Sequence, residues 1–194
     1  KLILHSHDWM AGGAITAYAK GTGLPVLHTV HNVFTAHLPL EMMMGVDLRS
    51  MEDQLYFSWA YGKKCMDCQA TAIKNATVIN FVGHRFLKEV VDDYFLDRPI
   101  VPPSVRKEVK MKYYHNAARS ILNAPASNMY PENCEYLARK FGPDDAVIAA
   151  KRENLVEFQK RTGLAVNPEA ILFFWPSRLD ALQKARELRL RLVD

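Results

Sequence analysis

Residues 2–32 read LILHSHDWMAGGAITAYAKGTGLPVLHTVHN, and the fold class follows from this stretch. Leu2 to His5 is a short apolar run that ends in polar Ser6-His7-Asp8. Trp9 to Lys20 is small and apolar on one side and stops at Gly21 and Gly23, the pattern of a helix with its terminator. Pro25 to Val30 is β-branched and apolar and ends at His31-Asn32. Strand, helix and strand within about thirty residues make a βαβ unit, which implies parallel pairing and a right-handed crossover.

The alternation continues outward. Residues 33–50, with Pro39, Gly45 and Met42-Met43-Met44, are expected to form an irregular loop near a site, and residues 51–72 a long helix. Residues 77–81 predict a third strand, and residues 84–94 a helix after Gly83. The Pro-rich residues 97–104 predict loop, and residues 120–123 a brief strand. Residues 144–162 predict a helix capped by Asp144 or Asp145 and closed by Gly163. Residues 170–175 read as a strand and residues 182–193 as a last helix. Strands alternating with helices give an α/β class with a Rossmann-like parallel sheet and flanking helices.

Composition narrows the function classes. Of 194 residues 49% are hydrophobic and 24% charged, ordinary for a globular α/β chain, and the net charge of +4 is too mild for a nucleic-acid partner. No apolar run approaches the ~20 residues of a membrane span, so no membrane partner is expected. Three cysteines, Cys65, Cys68 and Cys134, make no disulfide framework and favour a reducing compartment. Cys65 and Cys68 lack the second pair that zinc needs and are read as plain thiols in a helical stretch. Residues 106–119 are basic and read as a solvated helix face, and Trp9 as packing beneath the site. The chain opens directly on a strand, which predicts further sequence upstream.

Ligands of open parallel sheets bind beyond the carboxyl ends of the strands. Three such ends carry chemistry here: Ser6-His7-Asp8, His31-Asn32, and Ser177-Arg178 with Lys184 following. Taken singly, each could be no more than a helix cap.

Taken in order, they resemble a known family. Ile3-Leu4-His5-Ser6-His7-Asp8-Trp9 resembles the H-x-H-D-W segment of bacterial glycogen synthases and plant starch synthases, and Thr29-Val30-His31-Asn32 resembles their T-[IV]-H-N. Ser120-Ile121-Leu122-Asn123 is similar to the G-[IV]-L-N of their hinge, and Tyr130-Pro131 to a following W-[NS]-P. Residues 152–164 resemble their N-K-x-x-L-Q helix, and residues 176–184 their S-R-L-x-x-Q-K-G. Some positions depart from the pattern: Val33-Phe34-Thr35-Ala36 replaces A-Y-Q-G, Ala124-Pro125-Ala126 follows the hinge, and Ala185 stands for the glycine after the lysine.

The resemblance implies part of a two-domain GT-B glycosyltransferase, with residues 1–122 the second half of an N-terminal Rossmann-like domain. Residues 123–194 would be the hinge and the start of a C-terminal one. The implied reaction is retaining transfer of glucose from ADP-glucose or UDP-glucose to the non-reducing end of an α-1,4-glucan. Asp8, His31, Arg178 and Lys184 would be catalytic, and His7, Asn32 and Asn123 substrate-binding. The partners implied are a nucleotide-sugar donor and an α-glucan acceptor. No metal or other cofactor is implied, and the location would be cytoplasm, or plastid in a plant. The K-x-G-G donor loop and the acidic C-terminal segment of the family are absent from these residues, so the chain alone is expected to be inactive. A non-catalytic glucan-binding protein and another GT-B transferase are the alternatives.

Overall fold

The computed structural model describes residues 2–45, 47–97 and 100–173. Internal contacts divide the chain into two compact units, Lys1–Asn123 and Ala124–Asp194.

The first unit opens with β1 (Leu4–His7), α1 (Asp8–Gly21) and β2 (Val26–Val30), the βαβ unit read from the sequence. Two further strands, β6 (Val78–Phe81) and β7 (Ala118–Ser120), complete a parallel sheet in the order β1-β2-β6-β7. Register sets the two faces. The row Ser6–His28–Ile79–Ala118 lies on one face, with Val30 and Phe81 above it, and the row His7–Thr29–Asn80–Arg119 lies on the other. The first face shares a core with Ala19 of α1, Ala70 and Ile73 of α2 (Cys68–Asn75), Val90 of α3 (His84–Val91) and Val105 and Val109 of α4 (Pro103–Tyr114). Burying such aliphatic side chains contributes about 1.5–3 kcal/mol each before entropy is charged.

Two glycines of α1 let the layers approach. A Cβ on Gly12 would stand 2.9 Å from His28 Cε1, and one on Gly13 would stand 2.8 Å from the backbone carbonyl of Cys68. Helix α1 therefore crosses α2 almost backbone to backbone.

Residues 51–72 do not form the expected helix. They carry β4 (Phe57–Ala60), β5 (Lys63–Asp67) and the first turns of α2, and with β3 (His37–Pro39) the strands make an antiparallel sheet in the order β3-β5-β4. The cause is local. Tyr61 and Gly62 have φ of 55° and 69°, the two-residue turn with positive φ at both centres that matches strand twist and ends any helix. Cys65 is thus a strand residue and Cys68 opens α2, where Asp67 Oδ1 accepts from Ala70 N at 3.0 Å. Both thiols are free and buried, and burial followed by the charge of Asp67 pushes Cys68 up to about 11, leaving it a packing group.

Smaller differences have similar causes. Pro103, inside the expected loop, takes the first turn of α4, where its missing N–H is harmless. Arg106 and Lys110 of that helix both pair with Asp93, at 3.7 and 2.6 Å, so this stretch of the basic segment is tied inward rather than simply solvated. Trp9 packs on a second cluster with Met66 and Leu55.

In the second unit α5 (Val147–Thr162) ends at Gly163 with φ 73°, as its sequence requires. Its N-cap is Ala146, and Asp145 instead accepts from Gly142 N at 2.6 Å. Residues 170–173 form no strand, and Ile171 and Phe173 are exposed. The expected helix over residues 182–193 lies outside the described residues.

Candidate functional site

Parallel pairing of β1 with β2 brings their carboxyl ends side by side, where the turn from β1 into α1 meets the loop that leaves β2 for β3. Asp8, the residue after β1, has φ 47° and is only 6% exposed. A left-handed Asp costs roughly 1–2 kcal/mol, tolerable where its short side chain bonds locally. Its Oδ1 accepts from the backbone N–H of His31 at 2.7 Å and of Asn32 at 3.3 Å, and its Oδ2 accepts from Asn32 Nδ2 at 3.3 Å. Asn32 Oδ1 in turn accepts from Phe34 N at 2.9 Å, and its carbonyl accepts from Gln69 Nε2 at 3.2 Å. One buried carboxylate thus fixes the first residues after β2.

What it fixes is a group of imidazoles. His7 and His31 are exposed, with His7 Nδ1 and His31 Nε2 3.0 Å apart and ring centroids 5.3 Å apart at 23°. The His5 ring lies 4.2 Å from that of His7, and its Nε2 shares a hydrogen with Thr29 Oγ1 at 2.9 Å. Partial burial, then His7 and His31, push the His5 pKa down. His5 was missed in reading the sequence, although its place two residues before His7 on one strand puts both on one face.

Beneath the sheet His28 is fully buried, with Nδ1 2.9 Å from Ser6 Oγ. Burial pushes its pKa down to about 4, and the neighbouring His7, His5 and His31 add to this; Gln69 opposes without overcoming it. His28 Nε2 and Gln69 Oε1 are both buried and neither makes a well-aligned hydrogen bond. His28 is therefore a neutral core group.

The structure gathers Asp8, His31, His7 and Asn32 at one edge. Asn123 is exposed three residues beyond β7, whose carboxyl end shares that edge, and it takes no part in these bonds. Arg178 and Lys184 lie outside the described residues. Among the described residues no group of three His, Cys, Asp or Glu side chains is arranged to hold a metal ion. A separate concavity of about 670 Å³ runs along α1 between Ala14, Tyr18, Met43 and Gln54, and its wall is largely apolar. No described helix is long and apolar enough to cross a membrane.

Fold and site together define an α/β protein whose polar groups converge at the carboxyl edge of a parallel sheet, where ligands of this class bind. The particular lineage comes from comparison. Residues 2–98 match the model of the starch synthase catalytic domain, and the chain belongs to that family. It is 28% identical over 194 residues to a glycogen synthase of Acidiphilium cryptum (strain JF-5), covering 96% of this chain and 37% of that protein. It is 24% identical over 201 residues to a glycogen synthase of Glaesserella parasuis serovar 5 (strain SH0165), covering 99% of this chain and 39% of that protein. The chain thus spans less than two fifths of the length of either relative. Its fold is similar to the catalytic domain of starch synthase IV from Arabidopsis thaliana bound to ADP and acarbose, with a TM-score of 0.59 and 19% identity over 84% of this chain and 33% of that one.

Proposed function

We propose that this chain is part of a retaining glucosyltransferase that moves glucose from ADP-glucose, or UDP-glucose, to the non-reducing end of an α-1,4-glucan. The observation that carries the reading is the clamp of Asp8 on the backbone of His31 and Asn32, which presents an exposed imidazole at the sheet edge. A neutral imidazole there can both donate to and accept from sugar hydroxyls, and a ring held by its own backbone loses little freedom when it does so. Asp8, almost fully bonded to the chain, serves the reaction by holding that ring and through whatever access its Oδ2 keeps to a bound sugar. His7, Asn32 and Asn123 complete the sugar side.

As the glycosidic bond breaks, negative charge grows on the leaving diphosphate. In this reading Arg178 and Lys184 stabilise it, and no metal is required. Membership of the starch synthase family supports the assignment, as do two glycogen synthase relatives and a structural relative bound to ADP and acarbose. Residues 1–122 are then the second half of the N-terminal domain and residues 123–194 the hinge and start of the C-terminal one. The location is the cytoplasm, or the plastid if the source is a plant.

The test is glucan extension by the complete protein that contains this chain, with ADP-glucose and UDP-glucose offered separately to a maltooligosaccharide. Incorporation from either donor is expected. Failure with both, alongside retained glucan binding, would replace the reading with a binding protein.

A further inference from the structure

The two anchors of His31 are different in kind. Its backbone N–H is held by Asp8, at 2.7 Å, and its ring by another ring, with 3.0 Å between His31 Nε2 and His7 Nδ1. A gap of that length holds one hydrogen. A neutral imidazole has one donor and one acceptor nitrogen, and an imidazolium has two donors, so the pair can bond with one positive charge or none and never with two. The direction of the bond also decides the far side of His31. Whichever ring supplies the shared hydrogen, the state of His31 Nε2 fixes whether Nδ1 is a donor or an acceptor when the ring is neutral.

The surroundings leave this bond unrivalled. On β1 the His5 ring stands 4.2 Å from His7 but gives its Nε2 to Thr29. From β2, buried His28 bonds Ser6 and faces the other side of the sheet. On α1 the Asp8 carboxylate is spent on backbone N–H groups and Asn32, and on α2 Gln69 Nε2 donates to the carbonyl of Asn32. Arg119, three strands from His7 in the same row, bonds Asn116 and the carbonyl of Ala118. Among the described residues no carboxylate bonds the ring of either His7 or His31, so there each ring has only the other to set its tautomer.

We propose that His7 is a positioning residue for His31, fixing its ring plane and tautomer. It acts through Nδ1 on His31 Nε2 and leaves His31 Nδ1 as the nitrogen turned to a sugar hydroxyl. The clause about sugar rests on the function proposed above; the clause about the tautomer does not.

The experiment has two arms. In the 194-residue chain, long-range 1H–15N spectra of the imidazoles report which His31 nitrogen bears hydrogen. The wild type should show one tautomer, with a coupling across the Nδ1···Nε2 bond. H7F keeps an aromatic ring without the bond and should leave His31 a mixture of tautomers; H7N restores a polar partner and should recover a single one. In the complete transferase H7F should lower kcat about tenfold or more, and H7N should recover most of the loss. A His31 tautomer unchanged in H7F, or H7N as impaired as H7F, overturns the proposal. If H7F does not fold, the wild-type coupling decides: its absence overturns the proposal. If the wild-type transferase moves no glucose, the functional reading fails while the spectra still decide the role of His7.

Discussion

The unit Lys1–Asn123 and the described part of the second unit, residues 124–173, draw on similar residue types yet are held together differently. The first buries a continuous row of Val26, Val30, Ile79, Phe81, Val105 and Val109 behind a parallel sheet. In residues 124–173 only Ala150 and Gln159 are buried. There the ties are polar: Arg139 N donates to Asn154 Oδ1 at 2.9 Å, Asn154 Nδ2 to the Arg139 carbonyl at 2.8 Å, and Gln159 bonds both backbone groups of Asn167 at 2.9 and 3.0 Å. Single hydrogen bonds of this kind contribute little net stability, roughly 0.5–1.5 kcal/mol each, whereas an aliphatic core adds cooperatively. The match to the starch synthase catalytic domain, residues 2–98, falls within the first unit. The clamp and the imidazoles stand on the region with the rigid core, as a site that must hold geometry requires.

That contrast can be broken by experiment. The largest effect is expected from Gly13→Val. A branched side chain must enter where even a Cβ would meet the Cys68 carbonyl at 2.8 Å and Cys68 Cα at 3.0 Å, and backbone cannot step aside as a side-chain tip can. Denaturant melts of the first unit should lose about 3 kcal/mol, while the amide shifts of residues 147–162 stay in place.

Next comes a pH effect on the first unit. His28 has its pKa lowered to about 4 in the fold against 6.5 unfolded, so the unfolded chain binds the extra proton between these values. Stability from this group is complete above about pH 6.5, falls as pH drops toward about 4, and should decline by about 2 kcal/mol between pH 7 and pH 5. His28→Leu should flatten that slope in urea titrations, and a slope unchanged by the substitution would place the titrating group elsewhere.

The smallest effect belongs to the second region. Gly163→Ala forces a Cβ into φ 73° and should weaken α5 by about 1 kcal/mol, seen as faster amide exchange near its end with no change in the first unit.

How much of this was legible in the sequence follows from which forces are local. The βαβ start, strand 78–81 and the helix closed by Gly163 were readable because apolar periodicity and a left-handed glycine act within a few residues. The hairpin at residues 57–67 was not. Its signal was a Tyr61-Gly62 turn inside a segment whose apolar content suits a long helix equally well, and pairing with β3 decides between them. That Asp8, His7, His31 and Asn32 lie together was legible because the carboxyl ends of paired parallel strands share one edge. The inward, clamping direction of the Asp8 carboxylate depends on its positive φ and on β1–β2 register, and no spacing encodes either. Thr29 and His5 joined the cluster for the same reason.

The most direct test of the account is the turnover number of the complete protein carrying His31→Ala, measured with saturating nucleotide sugar and glucan. His31 is exposed, and among the described residues its ring bonds only His7, so the fold should survive the change. The account expects kcat to fall about 10²-fold or more with an unaltered melting temperature. A variant that transfers glucose at the wild-type rate would contradict it.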